Sequence, residues 1–202
     1  MTARLRAGLA AATLVAATLV AATLLACGDP NAPEATFANY ADTLELYALN
    51  GSPRGAPTAV SLVAGRTGNS GVGTDLAFLF DVAVDIDASG RPVLYPVRTV
   101  AAPFLGRHRV GIRRTTQPFE SIVSAPTDNY VHDSVTVVAV GEVVLIQSAD
   151  ADACTTPFTT GLIYGKMVVD SIRPSTRRLF VRVTGNPNCG FKSLVPGVVP
   201  TD

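Results

Sequence analysis

The chain has no tryptophan, two histidines, three cysteines and two lysines among 202 residues. Two histidines and three cysteines leave little raw material for a multi-histidine metal site or an iron–sulfur centre. An excess of charge of either sign is also missing, since 16 basic residues balance 16 acidic ones. That balance excludes a strongly basic nucleic-acid binder and a long acidic solvating tail. Charged residues make up 16% of the chain and hydrophobic ones 48%, which is too apolar for disorder throughout. The length suits one or two domains.

What is present begins with Arg4 and Arg6, followed by an uncharged stretch from Ala7 to Ala26. Its centre is a pentapeptide written three times, AATLV, AATLV and AATLL, over residues 11–25. Nothing similar recurs downstream, so this is apolar filler and not a solenoid repeat. About 20 apolar residues could span a bilayer as a helix. This run, however, ends in Leu24-Leu25-Ala26-Cys27.

The positive start, the apolar run and the cysteine at its boundary resemble the signal peptide and lipobox of bacterial lipoproteins. The resemblance covers residues 1–27. It implies cleavage after Ala26, a diacylglycerol on the Cys27 thiol and an acylated new amino terminus. The lipid bilayer is then a partner through Cys27, with the chain facing the periplasm or the cell surface. The other reading is an ordinary export signal with an incidental cysteine, and both readings take the chain out of the cytoplasm. Each buried methylene contributes about 0.8 kcal/mol, so two or three acyl chains hold firmly where one does not. On this resemblance residues 1–26 would be a signal peptide, 27–41 a lipidated N-terminus with a flexible tether, and 42–202 the folded domain. Pro30, Pro33, Asp29 and Glu34 suit such a spacer, which cannot build a core.

Losing Arg4 and Arg6 with the leader leaves 14 basic against 16 acidic residues, a net charge of −2. Cys154 and Cys189 then remain as an even pair in an oxidising compartment, both in turn-rich segments, and are expected to form a structural disulfide. A redox or metal-binding pair is the alternative, but no CxxC spacing or neighbouring histidine supports it.

From about residue 42 the hydrophobic pattern has period two, broken by clusters of Gly, Pro, Asn and Ser. Leu76, Phe78, Phe80, Val82, Val84 and Ile86 hold one parity, and Asp81, Ala83, Asp85 and Asp87 the other. This predicts a strand with one buried and one wet face. Ala88-Ser89-Gly90-Arg91 reads as the turn of a hairpin. With Ser89 and Gly90 central, Val82 would face Val97, Val84 would face Tyr95, Ile86 would face Val93, and Asp81 would meet Arg98.

Further hairpins are expected between Leu44–Leu49 and Ala59–Val63, and between Leu162–Ile172 and Arg178–Thr184. Gly141 marks a bulge or tight turn between Val131–Val140 and Glu142–Gln147. Gly65–Gly73 reads as a flexible loop. Glu34–Leu49 is ambiguous, because Phe37, Tyr40, Leu44 and Tyr47 also fit helical spacing and allow a short N-terminal helical turn. Eight to ten strands and no long helix define an all-β fold, a single antiparallel β-sandwich or barrel.

Candidate sites are few. Asp85, Asp87 and Gly90 match the opening of a calcium loop, but Pro96 stands where a bidentate glutamate is needed, and a polar hairpin tip is the preferred reading. Arg107, Arg109 and Arg113 would share one face of a strand and could contact an anionic surface, while Arg114 would lie on the other with His108; a solvated edge is the alternative. His132, Asp133 and Ser134 carry the residue types of a hydrolytic triad, yet neighbours on a strand point to opposite faces and cannot form a relay. Asp150 and Asp152 are a second carboxylate pair. Five tyrosines could stack on sugars, but without tryptophan a glycan-binding platform is thin.

These features favour a membrane-anchored envelope lipoprotein with a non-enzymatic structural or interaction module, with no catalytic residue and no cofactor beyond the acyl groups. Its partner would be an envelope protein or polymer and not a nucleic acid. A ligand-binding β-domain for calcium, glycan or an anionic envelope polymer comes second. An envelope hydrolase comes third. A filled sandwich points to the first, a lined cavity to the second, and a cleft joining His108 or His132 to carboxylates to the third.

Overall fold

A computed structural model describes residues 34–74, 79–101, 108–149, 154 and 161–201. Among them it contains eleven strands in two open antiparallel sheets, which makes the fold a sandwich and not a closed barrel. Cys27, Leu76, Phe78, Arg107, Asp150 and Asp152 lie outside the described residues.

The six-stranded sheet runs β1 (Tyr40–Tyr47), β11 (Arg178–Asn186), β10 (Ile163–Arg173), β9 (Val143–Ala149), β6 (Arg109–Thr115) and β7 (Val131–His132). The five-stranded sheet runs β3 (Gly71–Val72), β2 (Ala59–Val60), β4 (Val82–Ile86), β5 (Pro92–Pro96) and β8 (Thr136–Val137). Leu46, Val181, Val183, Met167, Ile146 and Ile112 from the first sheet share one buried core with Val60, Val82, Val84, Ile86 and Leu94 from the second. A second cluster lies on the opposite face of β9 and β10. There Val143, Leu145, Tyr164 and Val168 are covered by Phe119, Ile122, Ala125 and Leu194. The six-stranded sheet is therefore buried on both faces along its middle strands, which is why β9 and β10 read as nearly continuous apolar runs.

The ambiguous N-terminal segment is strand. Tyr40, Asp42, Leu44 and Leu46 turn inward while Ala41, Thr43 and Glu45 are exposed. Tyr40 and Leu44 satisfy both periods, and pairing with β11 over Tyr40↔Gly185 to Tyr47↔Arg178 selects period two. No helical turn forms there. The expected hairpin of this segment with Ala59–Val63 does not form either. β1 joins β11, β2 joins β3 and β4, and the turn after β1 carries the chain from one sheet to the other.

The part of the expected tether from residue 36 onward is tied down. Asn188 Oδ1 accepts hydrogen bonds from the backbone N–H of Thr36 and Phe37 at 2.8 and 2.9 Å, and Asn188 Nδ2 donates to the Phe37 carbonyl at 2.7 Å. Gly65–Gly73 is likewise structured, with a 3-10 turn over Ala64–Thr67 followed by β3. Gly65 and Gly185 both lie against the Tyr40 ring, and a Cβ on either would collide with it.

The hairpin of β4 and β5 forms, one residue out of the expected register. Val82 pairs with Pro96, Ala83 with Tyr95, Val84 with Leu94, Asp85 with Val93 and Ile86 with Pro92. The turn is the cause. Asp87 Oδ1 accepts from the N–H groups of Ser89 and Arg91 at 2.9 and 2.8 Å, and Gly90 adopts φ 76°. This makes a three-residue loop with glycine in the left-handed position, where a two-residue loop was expected. Asp81 does not meet Arg98, since α1 (Val97–Ala101) replaces the continuation of β5 and Arg98 pairs with Asp133 at 3.6 Å. The expected wet face of β4 is also absent, because all five residues of the strand are buried.

The hairpin of β10 and β11 forms as read, around a 3-10 turn at Pro174–Thr176, with a bulge between Val169 and Ser171. Gly141, at φ 83°, sits in a tight turn closed by Glu142 N–H on the Ala139 carbonyl at 3.1 Å. The flanking segments part there, β8 joining β5 and β9 joining β6 and β10.

Candidate functional site

Two buried carboxylates, Asp81 just ahead of β4 and Asp85 within it, connect the sheets. Asp81, 1% exposed, accepts from the Leu62 N–H at 2.6 Å through Oδ2. Its Oδ1 receives Ser148 Oγ from β9 and lies 3.0 Å from His108 Nε2, just ahead of β6. His108 Nε2 is also 3.2 Å from Ser148 Oγ. Four residues on, Asp85 accepts from Arg177 Nη2 at 2.6 Å, from Asn50 Nδ2, and from the Ile86 N–H at 2.8 Å. Arg177 belongs to the β10–β11 turn and Asn50 follows β1, so this bridge clamps the end of the sandwich farthest from Tyr40.

Asp81, His108 and Ser148 bring together the residue types of acyl-transfer catalysis, but in a different arrangement. The Ser148 hydroxyl donates to the carboxylate and not to the imidazole, and both Ser148 and Asp81 are sealed from solvent. A base that activates a nucleophile needs that proton, and a nucleophile needs access to substrate. The trio joins the two sheets by hydrogen bonds. His132 lies apart from it, 3.0 Å from Gln147 Oε1, and Asp133 is engaged by Arg109 Nε at 3.2 Å and by the Val110 N–H at 3.2 Å.

The calcium-loop residues are already occupied. Asp85 is held as described, and Asp87 takes Arg91 Nη2 at 2.8 Å and Arg91 Nε at 2.9 Å. The Arg91 N–H first, then the Arg91 side chain and the Ser89 N–H, hold the Asp87 carboxyl below its ordinary range. Among the described residues no group of three or more His, Cys, Asp or Glu side chains is placed to hold a metal. The arginine cluster is similarly paired, with Arg109 on Asp133, Arg113 on Asp128 at 2.9 Å, and Arg114 on Glu142 at 2.5 Å. The hydrogen bond from Arg114 lowers the Glu142 carboxyl below its usual value. Of the tyrosines, Tyr130 and Tyr164 pack together at 6.4 Å and belong to the second core cluster, Tyr40 is enclosed between glycines, and Tyr47 lies under Arg178.

Cys154 and Cys189 form the expected disulfide, with Cα atoms 5.7 Å apart. It lies at the end of the sandwich where Asn188 holds the incoming chain.

One buried cation had no signal in the sequence. Lys166 on β10 is 2% exposed and donates to the carbonyls of Phe119 and Ile122 at 2.8 and 2.9 Å. Its alternation with Tyr164 and Val168 places it on the covered face, but only the folded segment 118–125 supplies its acceptors. Burial pushes its pKa down. Arg177 was equally unmarked, since its left-handed φ of 52° aims it at Asp85 and belongs to a turn, not to a motif.

No protein-family model, curated protein or solved structure matches the chain.

Proposed function

We propose that the protein is a membrane-anchored envelope lipoprotein whose β-sandwich serves as a non-enzymatic structural or interaction module. The lipobox-like segment ending at Cys27 supports the anchor. The observation that carries the module is the filled space between the sheets. Leu46, Phe80, Ile112, Ile146, Met167 and Leu179 pack there without solvent exposure beyond 2%, and the Asp81 and Asp85 bridges run between the sheets beside them. Such an interior is a rigid body that presents its outer surface, and small-ligand sites are concave and open to their ligand.

The test begins with protein extracted in detergent from its own cells. The expected intact mass is that of residues 27–202 plus acyl groups, rising by about 2 Da on reduction as the disulfide takes up two hydrogens. Cys27→Ala should abolish the cleaved, acylated species, read as the loss of that mass. An unlipidated mass would remove the anchor from this reading. Cross-linking in intact cells then identifies the envelope partner, and turnover of an envelope substrate by the purified protein would count against a non-enzymatic module.

A further inference from the structure

Where the chain enters the sandwich, it does so through an uncovered apolar surface. Phe37 is 41% exposed, Val195 36%, Val198 47%, Val199 44% and Val123 57%. They are neighbours through the backbone. Asn39 N–H donates to the Val198 carbonyl at 2.9 Å, Gly197 N–H donates to the Asn39 carbonyl at 2.8 Å, and Asn39 Nδ2 reaches the Val195 carbonyl at 3.1 Å. Leu194 N–H donates to the Val123 carbonyl at 2.7 Å, which brings the backbone of the fifth residue beside Leu194. Soluble surfaces carry scattered single hydrophobic residues without consequence, but a contiguous set beside an attachment point marks a contact.

Charge and chain length identify the contact. From Asn186 to Asp202 the sequence carries two charges, Lys192 and Asp202, and residues 121–127 carry none. Arg66 lies 4.8 Å from the centre of the Phe37 ring. The incoming segment 27–41 carries two carboxylates, Asp29 and Glu34. An apolar patch with few charges around it suits a bilayer surface. Cys27 precedes Phe37 by ten residues, which at full extension span at most about 35 Å. An anchor at Cys27 therefore keeps this patch near the membrane at high effective concentration, so an affinity too weak for binding from solution is enough. At the opposite end, Asn50, Asp87, Ser89 and Arg91 form a polar surface that has no such reason to seek lipid.

We propose that the Phe37–Val123–Val195–Val198–Val199 surface rests on the phospholipid bilayer that holds the acyl groups of Cys27, orienting the sandwich with its β4–β5 hairpin tip away from the membrane. This rests on the lipoprotein reading above.

The absence of tryptophan gives the test a clean background. Val199→Trp and Ser89→Trp each place a single indole, one in the patch and one at the far tip, and Val195→Trp is a second patch probe should the first disturb folding. Each lipoprotein, purified with its acyl groups, is reconstituted into vesicles of phosphatidylethanolamine and phosphatidylglycerol. The expected result is a blue-shifted emission for Val199→Trp, quenched severalfold by phospholipid brominated in its acyl chains, with Ser89→Trp unaffected. If both probes behave alike while the protein floats with the vesicles, the oriented contact is overturned. A blue shift without bromine quenching would assign the patch to a second copy of the chain and also overturn it. Mass and flotation are read on the same samples, so a protein that carries no acyl groups and does not float overturns the anchor itself and is distinguished from both.

Discussion

Asp85 and Arg177 meet at 2.6 Å, joining the five-stranded sheet to the turn between β10 and β11 of the six-stranded one. The carboxylate is buried and the guanidinium about one-third exposed, so the pair is desolvated mainly on its acidic side. Removing one member leaves the other without its partner, which is costlier than the pair's net contribution. Asp85→Ala should lower stability by about 3 kcal/mol, read as a fall in the urea midpoint. Arg177→Ala should follow it and keep the left-handed backbone. Arg177→Gly loses the same pair but relieves a conformation that costs a side-chain-bearing residue roughly 1 kcal/mol, and should be the milder variant. Equal midpoints for Ala and Gly would remove backbone strain from this account.

Lys166 sets two effects against each other. Its buried ammonium pays for desolvation, while its hydrogen bonds satisfy the carbonyls of Phe119 and Ile122. Lys166 Nζ lies 4.5 Å and Arg182 Cζ 4.8 Å from the centre of the Phe119 ring. Lys166→Met keeps the volume but strands both carbonyls, each at about 1–3 kcal/mol, so a net loss of about 2 kcal/mol is expected. The loss should be concentrated in residues 118–125, read as faster amide exchange there than in β9 or β10. Uniform acceleration across the domain would mean that the lysine does not hold this segment in particular.

The disulfide closes a separation of 35 residues. In the chain-entropy model this stabilises by about 3–4 kcal/mol. Reduction should therefore shift the denaturation midpoint downward without loss of strand content, because neither cysteine lies within a strand. Collapse of the β-sheet circular dichroism signal on reduction would show that the staple is needed for folding itself.

Stability should fall at both extremes of pH. Glu142 is lowered in the folded state by the Arg114 hydrogen bond and Asp87 by the Arg91 N–H, so each favours folding above its unfolded pKa. That contribution is complete above about pH 4.5 and is lost as pH drops through the lower folded values. Glu142→Gln should flatten the loss of melting temperature between pH 5 and 3. Tyr40 and Tyr130 are raised, chiefly by burial. Their contribution is complete below pH 10 and is lost as pH rises toward the folded values. Their phenolate absorbance at 295 nm should emerge together with unfolding. Ionisation of both with the fold intact would contradict their enclosure.

The strand chemistry was legible wherever one period dominated. The β10–β11 hairpin, bounded by Pro174 and a run of valines, could be read directly, and so could the pairing of Cys154 with Cys189, for which no other partner remained once Cys27 was set aside. The β4–β5 hairpin could be read as a hairpin but not in register. Two- and three-residue loops both use a glycine at residue 90, and what selects between them is the Asp87 carboxylate taking two backbone N–H groups.

The candidate sites were less legible for a related reason. Asp81 and Asp85 alternate with valines as solvent-facing residues would, and on that pattern Asp85 also resembles a calcium ligand. Their partners, Ser148, His108 and Arg177, lie 67, 27 and 92 residues away. Only the stacking of one sheet on the other brings them close.

By itself the sequence determined the all-β class, the disulfide and the expectation of an export signal with a lipid anchor, because alternation, cysteine parity and an apolar leader are local properties of the chain. Tertiary structure decided the rest. β1 leaves its neighbour in sequence to pair with β11, β4 loses its wet face, and the segment from residue 36 is pinned by Asn188 instead of trailing as a tether. Each outcome depends on which surfaces remain to be covered once both sheets have formed, a condition that acts between residues far apart in the chain and leaves no periodic trace along it.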